Sequence, residues 1–217
     1  MLLQGKRVNF LGDSITEGGG VSCIEDNFVS VFGRMSGAVV RNYGVGGTRI
    51  AKQKRPSQEK KYDLDFIGRV EEMNVDADII VVFGGTNDYG SGDAVIGDIS
   101  SRDEYTFYGA LNVLCNKLIE RYPESTIVFM TPMHRLNEND KINPLGFPHM
   151  APLSVYVDAI KEVAAYYAFP VLDLHRVSGL QPNVAAIKDR YMPDGLHPNR
   201  EGAKRIAERL FGFLSAL

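Results

Sequence analysis

The stretch DIIVVF at residues 78–83, followed by GGTND at residues 84–88, decides the fold of this chain. Its apolar residues are consecutive and do not alternate with polar ones, which is typical of a strand covered on both faces in a parallel sheet. Glycines and polar residues then end the strand. The stretch therefore predicts a central strand of an α/β protein, with polar side chains placed directly after it.

Short apolar segments of the same kind recur along the chain, separated by amphipathic stretches. Besides residues 78–83, they are RVNFL at 7–11, AVVRNY at 38–43, TIVFM at 126–130 and PVLDL at 170–174. Their β-branched and aromatic residues, punctuated by Gly, Pro or Asn, are typical of strands. These segments predict a five-stranded sheet.

The stretches between these segments have the periodicity of helices. Apolar residues occur at i, i+3, i+4 and i+7 from Phe28 to Met35, and Gly37 follows as a stop signal. Equivalent patterns cover residues 107–118, 153–167 and 203–214, the last of them after the start signal Pro198-Asn199. Strands alternating with helices predict parallel βαβ units in a three-layer α/β/α sandwich.

The composition narrows the classes of function. Hydrophobic residues make up 44% of the 217 residues, enough for a single domain over residues 1–217, and the formal net charge of -3 gives no electrostatic footprint for nucleic acid or an anionic membrane. Cys23 and Cys115 form no CxxC motif, and no Cys/His cluster has zinc spacing. No apolar run has the length of a signal-peptide core or a membrane span. We therefore expect a soluble cytoplasmic protein without cofactor or metal, acting on a small molecule.

Polar segments follow the predicted strands, where parallel sheets place their chemistry. They are GDSIT at 12–16, GVGGT at 44–48, GGTND at 84–88 and TPMHR at 131–135, with MPDGLHPN at 192–199 near the C-terminus. Two long connections, 89–105 and 134–150, are expected to wall a pocket. The charged loop KQKRPSQEKK at 52–61 is interpreted as a solvated face and not as a binding patch.

The first of these segments admits three interpretations. A phosphate-binding loop is disfavoured because the glycines follow Ser14 and no GK[ST] or GxGxxG spacing is present. Asp13 as a phosphoryl acceptor would need a Mg²⁺ site of several carboxylates, which Asp88 alone does not supply. Ser14 as a nucleophile would need a base, an orienting residue and oxyanion donors, and the chain offers His197, Asp194, Gly47 and Asn87.

Four of the segments, GDSIT, GVGGT, GGTND and DGLHP in this order, resemble the signature blocks of the SGNH hydrolases, the superfamily that includes the GDSL esterases and lipases. The blocks span residues 12–198, almost the whole chain. Ile15 stands in place of the leucine of the GDSL consensus, which is a conservative difference. The resemblance implies a flavodoxin-like sheet with strand order 2-1-3-4-5.

The resemblance also implies a role for each matching residue. Ser14 matches the family nucleophile and His197 the base, with Asp194 as the residue that orients the imidazole. The oxyanion hole would consist of the Ser14 backbone N–H, the Gly47 N–H and the Asn87 amide. The implied chemistry is that of a serine ester hydrolase working through an acyl-enzyme.

Other polar residues near these blocks are interpreted as structural. Asp13 and Asp88 are expected to hold loops through hydrogen bonds to neighbouring amides. His134 follows the fourth predicted strand and could face the pocket, but a lone histidine there is more often structural. His149 and His175 are treated likewise, since the spacing of these three histidines does not indicate a metal site.

The substrate is less defined than the chemistry. No long apolar insertion resembles a lipase lid, and the 134–150 connection is rich in Asn and charged residues, which favours short acyl groups such as acetyl on a polar alcohol or carbohydrate. A thioesterase or lysophospholipase of the same superfamily is the alternative within the enzyme class. A catalytically silent ligand-binding protein on the same fold is the alternative outside it.

Overall fold

The computed structural model describes all 217 residues. One sheet contains five parallel strands, β1 (Arg7–Gly12), β2 (Val39–Gly44), β3 (Ile79–Phe83), β4 (Thr126–Met130) and β5 (Val171–Leu172), in the spatial order β2-β1-β3-β4-β5. The helices are α1 (Ser14–Glu17), α2 (Phe28–Ser36), α3 (Phe66–Arg69), α4 (Thr86–Ser91), α5 (Phe107–Arg121), α6 (Leu153–Tyr166), α7 (Leu174–Val177), α8 (Ala185–Tyr191) and α9 (Arg200–Ala216). The predicted sheet and its strand order are confirmed. None of the helices combines the length and apolar character needed to cross a membrane.

Strand β3 shows why its sequence is apolar throughout. All of its residues are buried, but they face two different cores. Ile80 and Val82 belong to a cluster of 26 buried residues that also contains side chains of α3, α5 and α6. Ile79, Val81 and Phe83 belong to a second cluster of 23 buried residues, shared with α2 and α9. Because side chains alternate along a strand, a strand between two cores needs an apolar residue at every position.

The long helices begin and end where the sequence predicts. Asn27 caps α2, since its side chain accepts a hydrogen bond from the Val29 amide at 2.6 Å, and Gly37 ends the helix with a φ of +69°. Asn199 caps α9 by accepting hydrogen bonds from the amides of Glu201 and Gly202, each at 3.1 Å. These polar caps satisfy backbone groups that a helix terminus leaves without partners.

The fifth strand is shorter than predicted. The sequence predicts an extended segment over 170–174, whereas β5 covers only Val171–Leu172. Asp173 ends it because its carboxylate accepts hydrogen bonds from the Thr131 hydroxyl at 3.0 Å and from the Arg176 amide at 3.2 Å. The second of these bonds caps α7, so the chain turns into a helix immediately after two strand residues.

The first three strands bring their following segments to one edge of the sheet. Gly12 at the end of β1 is in register with Gly44 of β2 on one side and with Phe83 of β3 on the other. The segments 12–16, 44–48 and 84–88 therefore leave the sheet side by side, and the candidate site lies where they meet.

Candidate active site

Ser14 begins α1, immediately after β1. Asp13 caps this helix, and its Oδ1 accepts a hydrogen bond from the Ile15 amide at 3.0 Å. With Asp13 supplying the cap, the hydroxyl of Ser14 is free to leave the helix axis, and it does so toward the loop before α9. Capping, the structural alternative for a serine at this position, is therefore performed by its neighbour.

Ser14, His197 and Asp194 form a continuous hydrogen-bonded chain. Ser14 Oγ lies 2.9 Å from His197 Nε2, and His197 Nδ1 lies 2.7 Å from Asp194 Oδ2. A carboxylate can only accept, so the Nδ1 proton belongs to the bond with Asp194 and Nε2 accepts from the Ser14 hydroxyl. This tautomer places a basic lone pair against the serine oxygen.

Asp194 is held in place by the loop that carries His197. Its Oδ1 accepts hydrogen bonds from the backbone amides of Leu196 at 2.8 Å and His197 at 2.7 Å, which leaves Oδ2 for the imidazole. Partial burial raises the pKa of Asp194, but the hydrogen bonds from Leu196 and His197 outweigh this effect and hold the pKa below its ordinary value. Asp194 is thus an anion at neutral pH, suited to stabilise an imidazolium.

The glycines after Ser14 allow the His197 loop to approach α1. A Cβ on Gly19 would lie 2.8 Å from His197 Cδ2, and a Cβ on Gly20 would lie 2.6 Å from the Pro198 carbonyl oxygen. Gly20 also has a φ of +92°, which side chains rarely tolerate. The glycine run therefore serves the approach of histidine to serine.

The segment that carries Gly47 passes close to Ser14, and Asn87 is hydrogen-bonded to this segment. A Cβ on Gly46 would be 3.6 Å from the Ser14 Cβ, and Gly47 follows with a φ of +77°, which favours glycine. Neither the Ser14 N–H nor the Gly47 N–H donates a hydrogen bond within the chain. Asn87 Nδ2 donates to the Thr48 carbonyl at 3.0 Å, and since an amide nitrogen carries two protons, a second donor is left.

The sequence and the fold agree with known proteins. The model of the GDSL-like lipase/acylhydrolase family matches residues 10–205. The chain belongs to this family. No curated protein matches the sequence significantly.

Three solved structures illustrate the similarity. One is 33% identical, covers 100% of this chain and 99% of its own, and has a TM-score of 0.86. A protein from Lactobacillus plantarum is 32% identical over 98% of both chains, with a TM-score of 0.82. The lipase/acylhydrolase from Enterococcus faecalis, at 19% identity, covers 97% of this chain and 96% of its own with a TM-score of 0.67, and so shares the fold.

Three carboxylates hold the two loops of this GDSL-like hydrolase that carry Ser14 and Gly47; Asp13 and Asp88 are buried, and Glu17 is exposed. Asp88 accepts hydrogen bonds from the amides of Ile50 and Ala51 at 3.0 and 2.9 Å, and Glu17 accepts one from the Gly46 amide at 3.0 Å. Asp13 and Asp88 thus hold neighbouring amides, in the manner expected of supports.

Arg69 is a further support, and no sequence motif predicts it. Its guanidinium is buried and donates to the Gly12 carbonyl at 3.0 Å and to the Thr48 hydroxyl at 2.8 Å, and it also bonds the Tyr43 carbonyl. These partners lie at the ends of β1 and β2 and in the GVGGT turn. Arg69 lies on α3, and no local pattern in its sequence signals these long-range contacts.

Burial alters the ionisation of the two supporting aspartates. It raises the pKa of Asp13 to about 7 and the pKa of Asp88 to about 6, although both accept backbone hydrogen bonds that act in the opposite direction. Between the unfolded pKa and the raised folded pKa, the native state holds a proton that the unfolded chain has lost. Stability contributed by these groups is therefore lost as the pH rises toward neutrality.

Asp13→Asn should stabilise the protein more at pH 8 than at pH 5, because asparagine keeps an acceptor for the Ile15 amide and carries no buried charge. The gain in unfolding free energy should increase by on the order of 2 kcal/mol between these pH values. Urea unfolding at both pH values measures it, with Asp189→Asn on the exposed surface of α8 as the control. A gain independent of pH would contradict the raised pKa of Asp13.

A cavity of 490 Å³ opens beside Gly47. Its wall includes Ser91, which lies in the predicted 89–105 connection but ends α4 in the structure, and Leu145 and Phe147 of the 134–150 connection. The 52–61 loop, interpreted as a solvated face, has no buried residue and also borders this cavity. This loop folds over the cavity and contributes Arg55, Pro56, Ser57 and Gln58.

The remaining histidines lie apart from the triad. His134 Nδ1 lies 2.9 Å from Glu138, and the His134 ring contacts His175 with 3.8 Å between centroids. The possible ligand atoms of His134, Glu138 and His175 all lie within 4.8 Å of one another, so this set could hold a divalent metal. His149 stacks on Tyr89 and hydrogen-bonds its carbonyl at 2.7 Å. None of these histidines hydrogen-bonds Ser14, Asp194 or His197.

Proposed function

We propose that this ester hydrolase is a serine esterase in which Ser14 is the nucleophile, His197 the general base and Asp194 the residue that orients and stabilises the imidazole. The observation that carries the proposal is the pair of hydrogen bonds made by the two nitrogens of one imidazole. Ser14 Oγ lies 2.9 Å from His197 Nε2, and His197 Nδ1 lies 2.7 Å from Asp194. A serine hydroxyl is a weak nucleophile until a base accepts its proton, and this arrangement supplies that base.

The reaction proceeds in two halves. Ser14 Oγ attacks the ester carbonyl as its proton passes to His197 Nε2, and the imidazolium then returns that proton to the departing alcohol, leaving an acyl group on Ser14. In the second half, His197 takes a proton from water, the resulting hydroxide attacks the acyl-serine, and the proton returns to Ser14 Oγ as the acid leaves. No metal or cofactor is required for either half.

The developing oxyanion would be bound by the N–H groups of Ser14 and Gly47 and by the Asn87 amide. The two backbone donors have no other partner, and Asn87 has one proton left after its bond to Thr48. Fixed donors aimed at the charge that appears in the transition state are a large source of rate acceleration.

The substrate we propose is a short-chain ester, such as an acetyl ester, of a polar alcohol or carbohydrate. In support, polar and charged side chains line the cavity beside Gly47, among them Arg49, Arg55 and Gln58, which suits a polar alcohol or carbohydrate.

A series of p-nitrophenyl esters from acetate to decanoate tests this proposal, with acetylated sugars in parallel. We expect kcat/KM to be highest for the acetyl and butyryl esters and to fall with longer chains. Each activity is compared with that of Ser14→Ala to remove background hydrolysis. A maximum at octanoate or beyond would overturn the short-chain assignment, and serine-independent turnover would overturn the mechanism.

A further inference from the structure

The cavity beside Gly47 contains two guanidinium groups. Arg49 lines it although only 5% of the residue is exposed, which is unusual for an arginine. Arg55 lines it from the 52–61 loop, and its guanidinium carbon lies 3.7 Å from the centroid of the Phe147 ring. Stacking on an aromatic face restrains a guanidinium and leaves its edge donors available.

The protein leaves the Arg49 charge without a close counterion. Its Nη1 donates to the Tyr62 carbonyl at 3.0 Å and to the Ser57 hydroxyl at 3.4 Å, and its Nη2 to the Ser91 hydroxyl at 3.0 Å and the Ser91 carbonyl at 3.4 Å, while its buried Nε has no partner. The carboxylate that acts most strongly on Arg49, Asp88, does so from beyond salt-bridge distance and is already bound to two backbone amides. A buried charge in this condition carries a desolvation cost that a bound anion would offset.

Arg55 also lacks an acidic partner for its side chain. Asp93 is near in the fold, but it accepts hydrogen bonds from the backbone amides of Lys54 and Arg55 at 3.1 and 2.6 Å and forms no salt bridge with the Arg55 guanidinium. The protein thus uses its acidic groups to shape the loop and leaves both arginines unpaired.

We propose that this cavity binds an anionic oxygen group of the substrate, so that the enzyme prefers esters bearing a carboxylate near the scissile bond over neutral esters of the same size. This inference rests on the proposed esterase function and refines its substrate class. Guanidinium groups match carboxylates in shape and charge, and hydrogen bonds between ionised partners are about twice as strong as neutral ones. An anion held beside Gly47 would fix the ester carbonyl near the oxyanion donors.

Two matched pairs of esters test the preference on either side of the scissile bond. On the acyl side, mono-4-nitrophenyl glutarate is compared with its methyl ester; on the alcohol side, 4-acetoxybenzoate is compared with 4-acetoxybenzamide. For one of these pairs, we expect kcat/KM to favour the carboxylate by about tenfold or more, as hydrogen bonds to charged groups predict. The pair that shows the preference identifies which part of the substrate occupies the cavity.

Arginine variants connect the preference to the cavity. Arg55→Gln and Arg49→Gln should each remove most of the preference for the carboxylate, whereas Arg209→Gln, an exposed arginine on α9, should retain it. Since Arg49 also bonds Tyr62 and Ser91, its variant could be lost to misfolding, and Arg55→Gln then decides.

Two failures are distinguishable. Ser14-dependent hydrolysis with no preference in either pair, or a preference unchanged in Arg55→Gln, would overturn the anion site and leave the esterase function standing. Absence of Ser14-dependent hydrolysis for all four esters and for p-nitrophenyl acetate would overturn the esterase function, and the anion site with it. Loss of the wild-type preference in 0.5 M salt, where screening is strong, would support the charge-based assignment.

Discussion

Ser14→Ala should lose nearly all ester hydrolysis and keep its fold. The variant removes the atom that attacks the carbonyl, and in enzymes with such a triad this loss costs roughly 10⁶ in kcat. The fold should persist because Asp13, and not Ser14, caps α1, and the only side-chain partner of Ser14 is His197. Single-turnover and steady-state assays with p-nitrophenyl acetate measure the loss, and thermal melting checks the fold.

His197→Ala should be as inactive as Ser14→Ala, and the double variant no worse than either, because the two residues act as one unit. Ser154→Ala, at an exposed position of α6, is the matched control and should retain full activity. A serine-directed phosphonate should label the wild-type protein once, on Ser14. Substantial turnover by Ser14→Ala, or a label on another residue, would remove Ser14 from its proposed role.

The candidate site could be found from the sequence because its residues lie in short segments directly after strands. Ser14, Gly47 and Asn87 are each within a few residues of the ends of β1, β2 and β3, and parallel strands bring those ends together. His197 and Asp194 precede α9 and follow no strand, so the strand pattern alone did not place them beside Ser14, and the resemblance supplied their match to the family base and orienting residue.

The central fold was predictable for a related reason. The β3 residues between Ile79 and Phe83 must be apolar to face two cores, so their pattern is unambiguous. At the sheet edge, the requirement for an apolar residue at every position is weaker. There one side chain, Asp173, ends β5 by capping the next helix. Helices of four to seven residues, such as α1 and α8, complete too few turns to show a helical period in the sequence.

The contacts that the sequence did not reveal are long-range and polar. Arg69 joins the ends of β1 and β2 through carbonyl groups, and a carbonyl is present at every residue, so no pattern identifies its partners. The 52–61 loop resembles a solvated segment by composition. In the structure, the Arg49 guanidinium hydrogen-bonds Ser57 in this loop and the carbonyl of Tyr62 directly after it. The composition of a loop indicates whether it is exposed to solvent. It does not reveal a hydrogen bond to a buried arginine elsewhere in the chain, such as the bond from Arg49 to Ser57.

Asn87→Ala should lower kcat by about 10² to 10³ with little change in KM, which corresponds to roughly 2.7 to 4 kcal/mol of transition-state stabilisation. The reason is that the free proton of the Asn87 amide would bond more strongly to the oxyanion than to the carbonyl of the bound ester. The bond from Asn87 to the Thr48 carbonyl gives the residue a structural role as well. Its loss should cost about 1 kcal/mol of unfolding free energy.

The two roles of Asn87 are separated by measuring kcat, KM and melting temperature on the same preparations. Asn139→Ala, at an exposed position without a hydrogen-bond partner, is the control and should match the wild type in all three. A purely structural Asn87 would give a lower melting temperature with kcat of the folded protein unchanged, and that result would exclude it from the oxyanion hole. A large loss in kcat at constant KM would show that Asn87 stabilises the transition state more than the bound ester.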